Sequence, residues 1–433
     1  MKRTYIKELT EGKCLVKGYI ETIRDQKYMQ FIVLRDITGS VQITIIKKEQ
    51  PEIAEVVSGL TVHSFVTIEG ECKIVPQVKL GGKEILPTKL TILSVAKTLP
   101  ITPESSQDLK MDYRWIDLRD EKKVFFFQTQ ASIELAMRQW AIAHGFIEIH
   151  TPHITAFSSE GGSEVFEIKN YFGQKAYLTQ SSQLFKQCAI ASGFERTFEI
   201  GPCFRANPSF TSRHDTEFIQ VDMEVAFIES HHDVMDIEEE WVKYFTKAIE
   251  EKHGEKMKEL FGIEFKAPTV KFPRISLLEA YELLKKEKGY EVPREAKGDL
   301  DPEAERLLCE ISKEKWGSDF MFVTDFPAKA RAFYSMKHED DSTLSKSFDL
   351  LYKGLEVTSG AQREHRTEIL KGQISAKGTD PKAMEFYTQF FEYGCPPHGG
   401  FGFGITRFLM KLFETSSVKD VTFLFRGPNR LAP

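Results

Sequence analysis

Between Lys13 and about Val95 the chain is a succession of short β-rich runs, 14–23, 29–34, 41–46 and 65–72, separated by turn signals at 36–39 and 81–82. Runs of this length and composition, broken by turns, read as short strands. This segment therefore folds on its own terms, as a small all-β unit.

About five such strands in residues 1–99 fit a small β-barrel of the OB type, whose open face binds single-stranded nucleic acid. The chain as a whole carries a net charge of -6, which argues against a general polyanion binder. The negative charge lies outside the barrel segment, which holds a small excess of Lys and Arg able to help hold phosphates. At 433 residues the chain has room for two or three domains. A proline-bearing polar stretch and the mixed aromatic and charged run after it read as a hinge over 100–120. From 121 to 433, β runs alternate with helical periods, which makes the whole an α+β protein. Helices are predicted at 125–143 (closed by Gly145), 233–251, 276–286 and 381–393, and strands at 146–149, 165–168, 198–205, 217–228, 321–325, 332–336 and 346–352.

No apolar run approaches the roughly 18 to 20 residues of a membrane span, and Met1 to Tyr5 lack an apolar signal core, so a cytoplasmic protein without a membrane partner is expected. The cysteines, Cys14, Cys72, Cys188, Cys203, Cys309 and Cys395, form no Cys-x-x-Cys pair and read as reduced thiols. No Gly-rich phosphate loop follows a strand, so any ATP must be held in another way.

Three stretches carry chemistry. The first follows the predicted helix: Gly145, Phe146, Ile147, Glu148, then Thr151 and Pro152. The second is Phe204, Arg205, Ala206, a polar loop through Thr211 and Ser212 to Arg213 and His214, then Glu217, Phe218 and Asp222, Met223, Glu224. Arginines near the ends of antiparallel strands suit a polyphosphate lying across a sheet, because guanidinium forks bind phosphate oxygens bidentately. The third is Gly402, Phe403, Gly404, Ile405, Thr406, Arg407 opening an apolar helix, where glycines admit a ligand close to the backbone and the helix start favours an anion.

In order and spacing these stretches resemble the three signature motifs of class II aminoacyl-tRNA synthetases. The resemblance implies a homodimer interface at the first motif. It implies that Arg205 holds the ATP α-phosphate and Arg213 the outer phosphates beside His214. Phe218 would stack on adenine, and Gly404 and Arg407 would close the nucleotide site, with Arg205 and Arg407 as the catalytic pair.

The residues between the motifs resemble the aspartyl branch. Ser158 to Gly162 is similar to its substrate loop, with Glu160 toward the amino group of L-aspartate. In Gln180 to Gln187, Gln183 and Lys186 share a helical face, and Lys186 supplies the positive charge a side-chain carboxylate requires. Ser347, Phe348, Asp349 and the run Gly354 to Arg363 match a third aspartyl signature. Asp349 and Glu356 are an odd number of residues apart, so a turn at Lys353 and Gly354 is needed to set them on neighbouring strands. There, with Ser359, they would bind Mg²⁺. Arg363 would pair with the substrate carboxylate and Asp222 with its ammonium. On the barrel, Arg24, Phe31 and Gln42 fall where aspartyl enzymes read the anticodon, Phe31 by stacking and Gln42 at a base edge.

The implied activity is ATP-dependent charging of tRNA-Asp with aspartate. The chain's length is similar to the compact archaeal form, whose members often charge tRNA-Asn with aspartate too, and Glu21, where strictly selective members carry tryptophan, points the same way. Asn207 and Thr406 stand where the family pattern has acidic residues. Glu364 after Arg363 resembles asparaginyl-tRNA synthetases, so an asparaginyl enzyme remains an alternative. A non-catalytic RNA-binding paralogue is another, against which the joint presence of Arg205, Arg213, Asp349, Glu356 and Arg407 counts.

Overall fold

The structure, a computed structural model, describes residues 1–157, 165–207 and 211–433, and divides into two compact units, Met1–Ser106 and Gln107–Pro433. In the first unit, β1 (Gly12–Asp25), β2 (Met29–Asp36), β3 (Gly39–Ile46), β4 (Phe65–Ile74) and β5 (Lys83–Ser94) close into a barrel in the order β1-β2-β3-β5-β4. Closure leaves no unpaired sheet edge. β2 shows the alternation that drives it: Gln30, Ile32, Leu34 and Asp36 point inward while Met29, Phe31, Val33 and Arg35 point out. Both polar inward residues bond to neighbouring segments, Gln30 Nε2 donating to Ala54 O and Ser58 Oγ of helix Pro51–Ser58, and Asp36 accepting from Ile6 N–H.

The second unit is built on eight strands: β6 (Ile147–Glu148), β10 (Arg196–Phe204), β11 (Glu217–Ala226), β12 (Arg274–Ser276), β13 (Phe320–Thr324), β14 (Ser347–Tyr352), β15 (Leu355–Gln362) and β16 (His398–Gly404). Their order is β12-β13-β14-β15-β16-β11-β10-β6, antiparallel except for the two outermost pairs. A separate small sheet holds β7 (Ile154–Thr155), β8 (Glu167–Tyr171) and β9 (Gln174–Leu178). Helix His231–Phe261 packs on one face of the large sheet, with Trp241 against Phe401 and Phe403 and Phe245 against Phe403. Ser230 and Asp233 form a capping box at its start, and Gly262, at φ 72°, ends it. It outruns the expected 233–251 because its buried positions continue to His253 and Met257 across a charged stretch.

Residues 332–336 are not a strand. Phe333 and Tyr334 pack into a cluster with Leu370, Ile374 and Tyr387, and a single bridge joins Ser335 to Arg363. The β-like composition of this run serves packing between helices rather than sheet pairing. Helix Pro302–Trp316, absent from the sequence reading, has an Asp301 cap, Pro302 at its first position and Gly317 at its end. The last part of the 100–120 stretch is helical and belongs to the second unit, where buried Arg114 donates to Asp117 and to the carbonyls of Asp420 and Thr422. Among the described residues no helix is long and apolar enough to cross a membrane, and the cysteines are free.

Candidate active site

The face of the large sheet away from helix His231–Phe261 carries a cavity of about 360 Å³. Strand alternation builds its wall: in β11, Val221, Met223 and Val225 enter the core while Phe218, Gln220 and Asp222 face the cavity. On the neighbouring β16 a Cβ on Gly402 would meet Gln220 Nε2, so a side chain there would push Gln220 from its place on the cavity wall.

On one side the cavity is lined with arginines. Arg205, just past the end of β10, lies over the Phe218 ring at 5.2 Å, and its backbone N–H donates to Thr216 O. Its Nε is buried and meets no acceptor among the described residues, a loss of about 1–3 kcal/mol that a bound anion would recover. Arg213 Nη1 donates to Glu305 Oε2 at 3.0 Å. Arg407, next to Gly404, donates from Nη1 to Glu356 O at 3.1 Å and lies 3.3 Å from Glu356 Oε2. Burial, then Arg407 and Arg213, push the His214 imidazole down to about 4, so the ring is neutral at pH 7. Burial alone would raise the Glu356 carboxyl, but Arg407, Arg331, Arg205 and Arg213 outweigh it and hold the group below the usual range.

β14 and β15 form the expected hairpin, with Lys353 at φ 45° and Gly354 at φ 80°, the pair of positive angles a tight two-residue turn requires. Asp349 stands opposite Ser359. Between them lies a residue the sequence reading passed over: Arg331 donates to Asp349 Oδ1 at 2.9 Å and Oδ2 at 2.5 Å and to Ser359 Oγ at 3.1 Å, with its guanidinium 3.6 Å from the centre of the Phe326 ring. Asp349 sits behind this guanidinium, while Ser359 and Glu356 reach the cavity. Burial, opposed by Arg331 and aided by Glu356, pushes the Asp349 carboxyl up to about 6.

Another part of the wall is formed by Gln183, Asp222 and Arg363. Arg363 donates from Nε to Glu224 Oε1 at 2.9 Å and from Nη2 to Gln183 Oε1 at 2.9 Å. Lys186 lies below the wall, fully buried, 2.7 Å from Asp222 Oδ1 and 3.4 Å from Glu224 Oε2. Two cations thus face two carboxylates, and burial of Glu224 is outweighed by Arg363 and Lys186, which hold its carboxyl below the usual range. Glu364 is turned elsewhere, accepting 2.8 Å bonds from Arg366 Nε and Nη2. Asn207 and Thr406 both lie on the cavity wall, and Glu160 falls outside the described residues. Thr151 of the first motif donates through N–H and Oγ1 to Glu199 of β10 at 2.7 Å each, tying that motif to the sheet.

The described residues contain no cluster of three or more His, Cys, Asp or Glu side chains arranged for a metal. On the barrel, Arg24 lies over the Phe31 ring at 5.6 Å on adjacent strands, with Phe31 on the outer face and not in the core. Gln42 Nε2 donates to Thr44 Oγ1, and Thr44 Oγ1 donates to Glu84 of β5. Glu21, at a bulge in β1, accepts from Arg35 Nε and Ser40 Oγ.

Residues 106–426 match the family described as tRNA synthetases class II (D, K and N), and residues 14–93 match an OB-fold nucleic acid binding domain. The chain belongs to the class II tRNA synthetases of the D, K and N group. Its synthetase relatives include the aspartate–tRNA(Asp) ligase of Pyrococcus abyssi, 40% identical with all of both chains covered. The aspartate–tRNA(Asp/Asn) ligase of Aeropyrum pernix is 39% identical, with 98% of this chain and 96% of that one covered. Among solved structures, asparaginyl-tRNA synthetase from Pyrococcus horikoshii complexed with asparaginyl-adenylate superimposes with a TM-score of 0.91 at 30% identity, covering 100% of each chain. A putative aspartyl-tRNA synthetase from Leishmania major gives 0.89 at 28% identity, covering all of this chain and 96% of that one. As a synthetase of this family the chain is a ligase that joins an amino acid to tRNA with ATP. Three charged residues that touch residues of the cavity wall were invisible as such in the sequence. Glu305 carries no motif of its own, Arg331 falls between two runs read as strands, and Glu224 was part of a motif without a role.

Proposed function

We propose that the cavity activates L-aspartate with ATP and transfers it to tRNA-Asp. The aspartate α-carboxylate attacks the ATP α-phosphate, forming aspartyl-adenylate and releasing pyrophosphate. The terminal ribose hydroxyl of tRNA then attacks the aspartyl carbonyl and releases AMP. No side-chain nucleophile is needed. Arg205 and Arg407 neutralise charge on the phosphate oxygens, Phe218 stacks on adenine, and Arg213 with His214 takes the outer phosphates. The observation that carries this reading is the buried Nε of Arg205, without a partner among the described residues, in a cavity that also holds Arg363 above Lys186. In that reading Arg363 takes the substrate's side-chain carboxylate, Asp222 its ammonium, and Gln183 orients Arg363. Glu160, outside the described residues, is assigned to the amino group by the resemblance to the aspartyl branch.

Glu356 and Ser359 on the cavity wall, with Asp349 behind them, are oxygen donors of the kind Mg²⁺ takes, and the Arg331 guanidinium that holds both Asp349 oxygens and Ser359 Oγ supports a place made for positive charge. When bound there, Mg²⁺ would offset charge on the phosphate oxygens of ATP. Arg24, Phe31 and Gln42 read the anticodon, the first motif makes a homodimer, and the enzyme works in the cytoplasm. The identity to aspartate ligases, some of them named for both tRNAs, favours aspartate as the amino acid. Glu21 held by Arg35 and Ser40 on the barrel is compatible with accepting tRNA-Asn as well. Charging of transcripts bearing Asp and Asn anticodons with labelled aspartate tests this directly, and Arg205→Ala should lower turnover by roughly 10²- to 10³-fold. A near-normal rate in that variant would refute the assignment.

A further inference from the structure

Glu305 lies in the first turn of helix Pro302–Trp316, far in sequence from every motif of the site. It is 4% exposed, and its Oε2 accepts from Arg213 Nη1 at 3.0 Å and from the Glu356 N–H at 3.4 Å. One buried carboxylate oxygen therefore fixes a guanidinium nitrogen of Arg213 against the strand that carries Glu356. Arg213 itself lines the cavity with its side chain 25% exposed, and no other bond to a described residue restrains its fork. A long side chain left to itself loses up to about 2 kcal/mol of rotamer freedom when it engages a ligand, and a guanidinium already oriented loses less.

We infer that Glu305 is a positioning residue for the outer phosphates of ATP, holding Arg213 so that its remaining nitrogens face the cavity. The inference rests on the proposed role of Arg213. A merely structural ion pair would tie the helix to the sheet and leave nucleotide selectivity unchanged. Positioning, by contrast, affects only ligands that carry the β- and γ-phosphates.

The test uses the full chain with Glu305→Gln, which keeps the shape and removes the charge. Affinities for ATP and for AMP are measured by calorimetry, and KM values for ATP and aspartate by pyrophosphate exchange. The expected result is about tenfold weaker ATP binding, equivalent to about 1.4 kcal/mol, with AMP affinity and the aspartate KM unchanged. The same substitution should have no further effect in an Arg213→Ala background. Equal losses for ATP and AMP, unchanged ATP binding, or a full loss persisting in the Arg213→Ala background would each overturn the inference. Should Glu305→Gln fail to fold, Arg213→Lys, which keeps the charge but not the fork, must show the same ATP-only loss. If Arg213→Ala alone leaves the preference for ATP over AMP intact, it is the assignment of Arg213 that fails, and the inference with it.

Discussion

Lys186→Met would leave the floor of the amino-acid site with one cation, Arg363, for two carboxylates, Asp222 and Glu224. Methionine comes close to the lysine stem in volume, so packing is largely kept and the loss is electrostatic. Removing one partner of a buried pair costs about 3–5 kcal/mol. For the substrate, two unit charges 4 Å apart interact by about 4 kcal/mol at an effective dielectric of 20. Lys186 lies below the cavity wall and acts from further away, so about half of that, near 2 kcal/mol or roughly 30-fold, is the expected loss for a side-chain carboxylate. Aspartate-dependent pyrophosphate exchange should show kcat/KM for aspartate reduced by about that factor, with the ATP KM unchanged. Inhibition by asparagine, whose side chain carries no charge, should be little affected. An unchanged aspartate KM in a protein of lowered thermal stability would refute the reasoning and reduce Lys186 to a prop for Asp222.

Three further outcomes follow from particular contacts. Burial pushes the carboxyl of Glu238 up to about 8 from an ordinary value of 4.5, so the folded chain holds this proton more tightly than the unfolded one. Its contribution is then full below pH 4.5 and is lost as the pH rises toward 8, at about 1.4 kcal/mol per unit. Glu238→Gln should therefore lose less stability than the parent between pH 5.5 and 8, measured by denaturant midpoints. A Cβ on Gly360 would overlap the Phe348 ring, so Gly360→Ala should lower stability by about 1–3 kcal/mol in thermal unfolding. Phe31→Ala should weaken tRNA binding by about 1–3 kcal/mol in aminoacylation kinetics while leaving tRNA-independent pyrophosphate exchange intact.

The barrel was legible because short β-rich runs such as that of β2 are cut off by turn residues, although the inward and outward faces of β2, with Gln30 and Asp36 inside and Phe31 and Val33 outside, were not. The motif residues were legible because Arg205, Phe218, Gly404 and Arg407 sit at fixed offsets from recognisable neighbours, and the fold brings them to one cavity. What escaped was whatever depends on distant partners. Arg331 meets Asp349 across 18 positions and Arg213 meets Glu305 across 92, so no local pattern announces either pair. Depth was equally hidden: a sequence gives Lys186 its charge but not its place beneath Asp222, and gives Phe31 its ring but not its outward face. Residues 332–336 misled because aromatic content reports burial as much as strand pairing, and here Phe333 and Tyr334 are buried against helices.

The most direct test of the central claim is amino-acid-dependent exchange of pyrophosphate into ATP, with aspartate and asparagine offered separately in the presence of Mg²⁺. A site with Arg363 on its wall, Lys186 beneath it and Glu364 turned away toward Arg366 predicts exchange with aspartate alone. Exchange with asparagine alone would contradict it.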